Sequence, residues 1–145
     1  MTLDFRLPPA GPVLGFGVDI VDIARIKGMR ERQGDRFLNR VFTHGELEYC
    51  LKMKYPDQHL AARFAAKEAV SKAFTTGIGE FFDWKSIGVT MGDRRQPEIE
   101  LDEKANQFMR SLGGARITIS LTHSADTAIA IAGLIGLCRS SKQEA

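Results

Sequence analysis

The sequence predicts an α+β fold, and three features carry that prediction. Apolar runs of strand length stand near both ends of the chain, Val13 to Val21 on one side and Arg116 to Leu121 and Thr127 to Leu134 on the other. Between them, Asp57 to Thr75 is alanine-rich and contains neither Gly nor Pro, which favours a helix of several turns. Two further apolar runs, Ile87 to Met91 and Glu98 to Leu101, flank the polar stretch Gly92 to Pro97 and read as a hairpin.

Taken in order, Val13 to Val21 is apolar apart from Asp19 and is interrupted by Gly15 and Gly17. That pattern suits a buried strand whose backbone another element approaches closely. From Asp22 onward Ile23, Ile26 and Met29, then Phe37, Leu38 and Val41, recur at helical spacing, with a break near Gly34. Thr43 to Glu46 has capping-box spacing ahead of Leu47 and Leu51, so a short helix starts there. Pro56 suits the first turn of the next helix, and Gly77 and Gly79 supply its exit. Asp102 caps a helix running to about Leu112, which Gly113 and Gly114 stop. Arg116 to Leu121 then alternates Ile117, Ile119 and Leu121, and Thr127 to Leu134 is the last strand.

With 145 residues, 43% of them apolar, the chain can bury the core of one folded unit. Its 20 basic residues nearly balance 18 acidic ones, so electrostatic recognition must be local and a general affinity for nucleic acid is not implied. Cys50 and Cys138 have no C-x-x-C partner, which argues against a zinc site or a disulfide framework and fits a reduced cytoplasm. Met1 to Pro12 lacks the basic start and long apolar run of a secretion signal. Ala128 to Cys138 is apolar or Gly throughout, but its eleven residues fall short of the ~20 that span a bilayer as a helix. It reads as a buried strand and its exit, and the polar tail Arg139 to Ala145 as loose.

Asp19 among Val18, Ile20 and Val21 is costly to place unless it is paired, hydrogen-bonded or bound to a cation. Glu68 and Lys72 are four apart on the long helix, so they project from one face ~6 Å apart along its axis. Alone, such a pair is usually a solvated salt bridge, and an aspartate at a strand end is often a helix cap. Together the segments say more. Gly15 to Ile26 (GFGVDIVDIARI) and Arg63 to Gly77 (RFAAKEAVSKAFTTG) resemble the two signature segments of the holo-acyl-carrier-protein synthase family, and Ser120 to Ser124 (SLTHS) is similar to its later strand-end sequence. The likeness spans residues 13 to 136 in order and spacing.

The resemblance implies the 4′-phosphopantetheinyl transferase fold, an antiparallel sheet packed with a long central helix in a single domain over residues 1–145. It implies transfer of phosphopantetheine from coenzyme A to a serine of an acyl carrier protein, with release of 3′,5′-ADP. Asp19 and Glu68 then correspond to the ligands of a magnesium ion bridging the pyrophosphate, an ion that needs few carboxylates because it keeps water and phosphate oxygens. Glu68, or a metal-bound water beside it, takes the serine proton, and Lys72 serves the departing phosphate. Arg63, Ser120 and His123 are the expected contacts for the nucleotide part of coenzyme A. Arg63 stands five residues before Glu68, about 140° around the helix, so one helix would serve two neighbouring pockets. The resemblance further implies a homotrimer with sites between subunits, working in fatty-acid synthesis in the cytoplasm, and no membrane or nucleic-acid partner is expected.

Between Arg25 and Arg40 six basic residues stand against two acidic ones, an excess of four positive charges. By the resemblance this helix docks an acidic helix of the carrier, with Arg25, Arg32 and Arg36 as charged contacts and Met29 as an apolar one. No stacking aromatics are interleaved with the patch, which argues against nucleic acid. Most members of the family carry Gly-Lys-Pro at the hairpin turn, where this chain has Arg95, Gln96 and Pro97, so a nucleotide contact made there would fall to Arg94 or Arg95. Two other readings use the same residues. A non-catalytic coenzyme A module would bind without releasing 3′,5′-ADP, and a basic-helix interaction protein would gain no thermal stability from coenzyme A and magnesium.

Overall fold

A computed structural model describes residues 11–138, so the expected loose tail from Arg139 lies outside the described residues, as does Met1 to Ala10. Strand β1 (Val13–Asp22) leads into helices α1 (Ile23–Gln33) and α2 (Asp35–Val41), which Gly34 separates at φ 55°. Helices α3 (His44–Leu51) and α4 (Pro56–Ala73) follow, then a 3-10 turn at Trp84–Ser86 and the hairpin β2 (Ile87–Met91) and β3 (Pro97–Leu101). Helix α5 (Glu103–Ser111) precedes β4 (Gly114–His123) and β5 (Thr127–Gly136). Strand β5 lies between β1 and β4 in an antiparallel three-stranded sheet, and β2 and β3 form a separate two-stranded sheet among the described residues.

Helix α4 lies across β1 and β5, and small residues make that approach possible. On β5 the face toward it carries Ala128, Ala130 and Ala132, all buried. On β1, a Cβ added to Gly17 would stand 1.7 Å from the Ala69 carbonyl oxygen, and one on Gly15 would stand 2.1 Å from that of Ala73. The close neighbour anticipated from the two glycines is therefore the backbone of α4.

The expectation that β1 is a buried strand needs correction. Phe16, Val18 and Ile20 are 71%, 58% and 63% exposed, because helix packs on one face of the sheet and these side chains occupy the other. Ile131 of β5 is exposed on the same face, opposite Val18.

The cap at Thr43 forms as expected. Glu46 N–H donates to Thr43 Oγ1 (3.2 Å), and Thr43 N–H donates to Glu46 Oε1 (2.8 Å). Glu46 reaches further than a cap requires. Its Oε2 accepts the Val89 N–H (3.0 Å), and its Oε1 pairs with Lys67 Nζ at 2.7 Å with both side chains fully buried. Lys67 also donates to the carbonyls of Trp84 and Ile87, so no donor of the ammonium faces an apolar wall. This satisfied ion pair joins α3, α4 and β2, and it fixes the roll of α4 one residue from Glu68.

Helix α4 ends two residues before the predicted Thr75. Thr75 N–H donates to Lys72 O (2.8 Å) and Thr76 N–H to Ser71 O (3.2 Å), a Schellman closure whose left-handed residue is Thr75 at φ 64°. Gly77 and Gly79 also have positive φ, but they shape the loop beyond the closure. Asp102 caps α5 through Ala105 N–H (2.8 Å), and Gly113 at φ 80° turns the chain into β4. Cys50 is buried, and burial pushes its thiol up to about 11, whereas Cys138 is exposed. Among the described residues no helix is long and apolar enough to cross a membrane.

Candidate active site

Asp19 lies on the β1 row that faces α4, between the buried Gly17 and Val21. Lys72, near the end of α4, donates from Nζ to Asp19 Oδ1 (2.9 Å) and to the Val18 carbonyl (3.1 Å). Asp19 does not cap α1, whose first turn has no side-chain cap from Asp22 either. Its partner across the chain is instead the lysine four residues after Glu68.

Glu68 is half-buried one turn earlier on the same helix. Burial holds its carboxyl above the ordinary value, and the nearby negative charge of Asp19 pushes the same way, while Lys72 and Arg25 oppose them. Two carboxylates thus share one cationic neighbour and repel each other across it. Such a pair of hard oxygen donors suits a small divalent cation that brings its remaining ligands with it. Among the described residues no group of three or more His, Cys, Asp or Glu side chains is placed to hold a metal ion. Glu68 also lines an open pocket with Arg40, Gly77, Ile78, Gly79, Asp83 and Trp84. The place of Arg40, Asp83 and Trp84 beside Glu68 escaped the sequence reading because α2 and the 3-10 turn meet α4 only in the fold.

Arg63 falls on another side of α4, as its spacing from Glu68 requires. It is only 4% exposed, its guanidinium lies 4.5 Å from the Tyr49 ring centroid, and it donates to the His59 carbonyl (3.4 Å) and the Met91 sulfur (3.5 Å). Among the described residues its Nε has no hydrogen-bond partner. Arg63 and His123 line one pocket together with His59, Arg95 and Thr122. Burial, then the Arg63 and His123 charges, hold the His59 ring below its ordinary value.

Ser120 and His123 are not brought together. His123 pairs with Ala128 on the α4 side of the sheet, whereas Ser120 pairs with the exposed Ile131 on the other side. The difference follows from their odd spacing on one strand.

Arg25, Arg32 and Arg36 are exposed on α1 and α2, with Arg25 5.7 Å from the Phe64 ring centroid and close enough to Glu68 to lower its pKa. Met29 is half-buried against the core. Not all of the local positive excess is available. Arg30 is held by Asp57 through bonds of 2.8 and 2.9 Å, and Lys27 lies 4.0 Å from Glu31.

The chain belongs to the 4′-phosphopantetheinyl transferase superfamily, whose family model matches residues 15–132. Within it, this chain is an enzyme of the holo-[acyl-carrier-protein] synthase kind, a phosphopantetheinyl transferase. A holo-[acyl-carrier-protein] synthase of Chlamydia trachomatis is 45% identical over 120 residues, covering 83% of this chain and 98% of that protein. The crystal structure of the synthase from Neisseria meningitidis matches with a TM-score of 0.80 at 31% identity, over 85% of this chain and 98% of that one. A synthase from Bacillus anthracis, solved in complex with CoA (3′,5′-ADP), matches with a TM-score of 0.72 at 31% identity, over 86% and 98% of the two chains. The expected α+β fold with its antiparallel sheets and long helix is therefore the fold of the family.

Proposed function

We propose that this chain transfers the 4′-phosphopantetheine arm of coenzyme A to a serine of an apo-acyl carrier protein, releasing 3′,5′-ADP. The observation that carries the reading is the meeting of Asp19, Glu68 and Lys72, from the two signature segments, at the contact of β1 with α4. The Bacillus anthracis relative is described with coenzyme A, which supports the donor.

Asp19 and Glu68 are the residues that would hold magnesium. When bound, the ion neutralises pyrophosphate charge and makes the β-phosphorus more electrophilic. The carrier serine oxygen forms a bond to that phosphorus as the bond to the bridging oxygen of the pyrophosphate breaks. The serine proton goes to Glu68 or to a water it holds, for which a raised carboxyl pKa is suited. Lys72, already directed at Asp19, supplies positive charge for the departing phosphate.

The nucleotide end of coenzyme A is assigned to the pocket of Arg63 and His123, with Arg63 toward the 3′-phosphate. Ser120 serves this role only from the opposite face, and so only in an assembly. The exposed row of Phe16, Val18, Ile20 and Ile131 supports such an assembly, because an apolar sheet face of this kind is usually covered by another copy or a partner. The reading takes the assembly as a homotrimer, each chain contributing one catalytic domain with its core at residues 13–136, working in the cytoplasm.

Arg25, Arg32, Arg36 and Met29 are assigned to the acidic carrier. Its KM is expected to rise with ionic strength, since exposed charges steer encounter and salt screens them. A KM flat in salt removes the electrostatic part of this assignment. The transfer itself is tested by mass spectrometry of an apo-carrier incubated with coenzyme A, magnesium and this protein. A carrier heavier by the phosphopantetheine arm is the expected product, and an unchanged carrier with bound coenzyme A favours a non-catalytic module.

A further inference from the structure

Lys67 is a fully buried cation for which the proposed chemistry has no use. It stands next to Glu68, about 100° around α4, so it points into the core while Glu68 faces the open pocket. Its charge is met by Glu46 of α3 at 2.7 Å, and it also donates to the carbonyls of Trp84 (3.0 Å) and Ile87. A buried ion pair is a poor device for stability alone, since apolar side chains of similar volume often serve as well. What apolar side chains cannot do is hold two carbonyls.

Those carbonyls belong to the 3-10 turn Trp84–Ser86 and the residue after it, and Trp84 forms one wall of the pocket that Glu68 lines. Trp84 meets α4 a second time through its ring, whose centroid lies 4.7 Å from that of Phe64. The segment leading into the turn, Gly77 to Phe82, contains neither helix nor strand, although Gly77, Ile78 and Gly79 line the same pocket. This side of the pocket therefore takes its position from ties to α4, and the Lys67 ammonium is the polar one.

We infer that Lys67 is a positioning residue of the transfer reaction, holding the Trp84 wall against α4 beside Glu68 while Glu46 balances its charge. The inference rests on the assignment of Glu68 to the chemistry. Lys67 lines neither the Glu68 pocket nor the pocket assigned to the nucleotide end. Releasing the wall thus disturbs how the reacting groups are placed, and it acts on kcat more than on the KM for coenzyme A.

Trp84 is the single tryptophan of the chain, so its emission reports the wall directly. The test compares the full chain as parent, as Glu46→Gln, as Lys67→Met with Glu46→Gln, and as Trp84→Ala. Tm, tryptophan emission where Trp84 remains, and kcat and KM of transfer from coenzyme A with magnesium are measured. Both Glu46 variants are expected to lose Tm, because glutamine keeps one of the two accepting oxygens. At a temperature where circular dichroism shows both folded, Glu46→Gln retains the lysine bonds to Trp84 and Ile87 and is expected to keep most of its kcat. Removing the lysine as well is expected to lower kcat by roughly tenfold or more at a near-parental KM for coenzyme A. The Trp84 emission should then move to longer wavelength and become more accessible to iodide. A folded double variant with the kcat and emission of Glu46→Gln shows a role in the core alone and overturns the inference. Trp84→Ala leaves the Lys67 pair in place and is expected to lose kcat to a similar extent. Parental kcat in Trp84→Ala overturns the inference even where the double variant fails to fold, since the wall then needs no holding. A parent that transfers nothing, or a Glu68→Gln variant that transfers normally, overturns the assigned chemistry and this inference with it.

Discussion

Glu68→Gln is expected to lower phosphopantetheine transfer by roughly 10²- to 10⁴-fold, the range for loss of a positioned acid–base group, while leaving the fold at least as stable. The two halves of this expectation have one cause. Burial and the charge of Asp19 hold the Glu68 carboxyl above its ordinary value of 4.5, so the folded protein binds that proton more tightly than the unfolded chain does. Stability contributed by the group is then greatest at low pH and is lost as pH rises through the shifted value. Glutamine does not ionise. Without divalent ions, the advantage of the variant over the parent should therefore widen as pH rises, and denaturant midpoints at two pH values on either side of the ordinary carboxylate range check the sign. Added magnesium should stabilise the parent and not the variant. A variant that keeps nearly parental transfer removes Glu68 from the chemistry, and one that unfolds shows that the carboxylate is needed for the fold instead.

How much of this site the sequence disclosed depended on spacing. Four residues on a helix place Glu68 and Lys72 on one side, where both lie close to Asp19, and five place Arg63 elsewhere, in a different pocket. The sequence could not reveal which acid Lys72 would meet. Its expected helical partner was Glu68, but the close approach of β1 to α4 brings Asp19 within 2.9 Å of the ammonium. Likewise the capping box predicted Glu46 as a local device, whereas its burial against Lys67 depends on contacts between elements far apart in sequence. Lys67 lies in a signature segment, but nothing in the sequence marks it for burial, because burial of a charge leaves no trace in periodicity.

The fold was most legible where turn chemistry is local. Thr43, Asp102, Gly34 and Gly113 do what their residue types suggest. It was least legible on β1, where a run apolar on both faces predicted burial on both. A strand covered by helix on one side and left exposed but apolar on the other has the same sequence pattern. The end of α4 shows a second limit. Thr75 takes the left-handed position that glycine would usually fill, so the later glycines drew the predicted boundary past the true one.

Gly17→Ala is expected to destabilise the chain by about 3 kcal/mol or more and to abolish transfer with it, because the added methyl has nowhere to go. Its Cβ would stand 1.7 Å from the Ala69 carbonyl oxygen, 2.7 Å from the carbonyl carbon and 2.8 Å from the Ala73 nitrogen. All three are helix backbone atoms, so no rotamer change relieves the contact. Strand β1 would have to lift from α4, and Asp19, two residues along on the same face, would move away from Lys72 and Glu68. The double variant Gly17→Ala with Ala69→Gly separates this cause from ordinary overpacking. Removing the Ala69 methyl leaves its carbonyl in place, so the double variant is expected to be no more stable than the single one. Recovery of the denaturant midpoint in the double variant would place the clash on the Ala69 side chain and break the link between the strand–helix spacing and the site. Stability loss without rescue, together with loss of transfer, is the result expected if the glycine sets the distance at which the two signature segments meet.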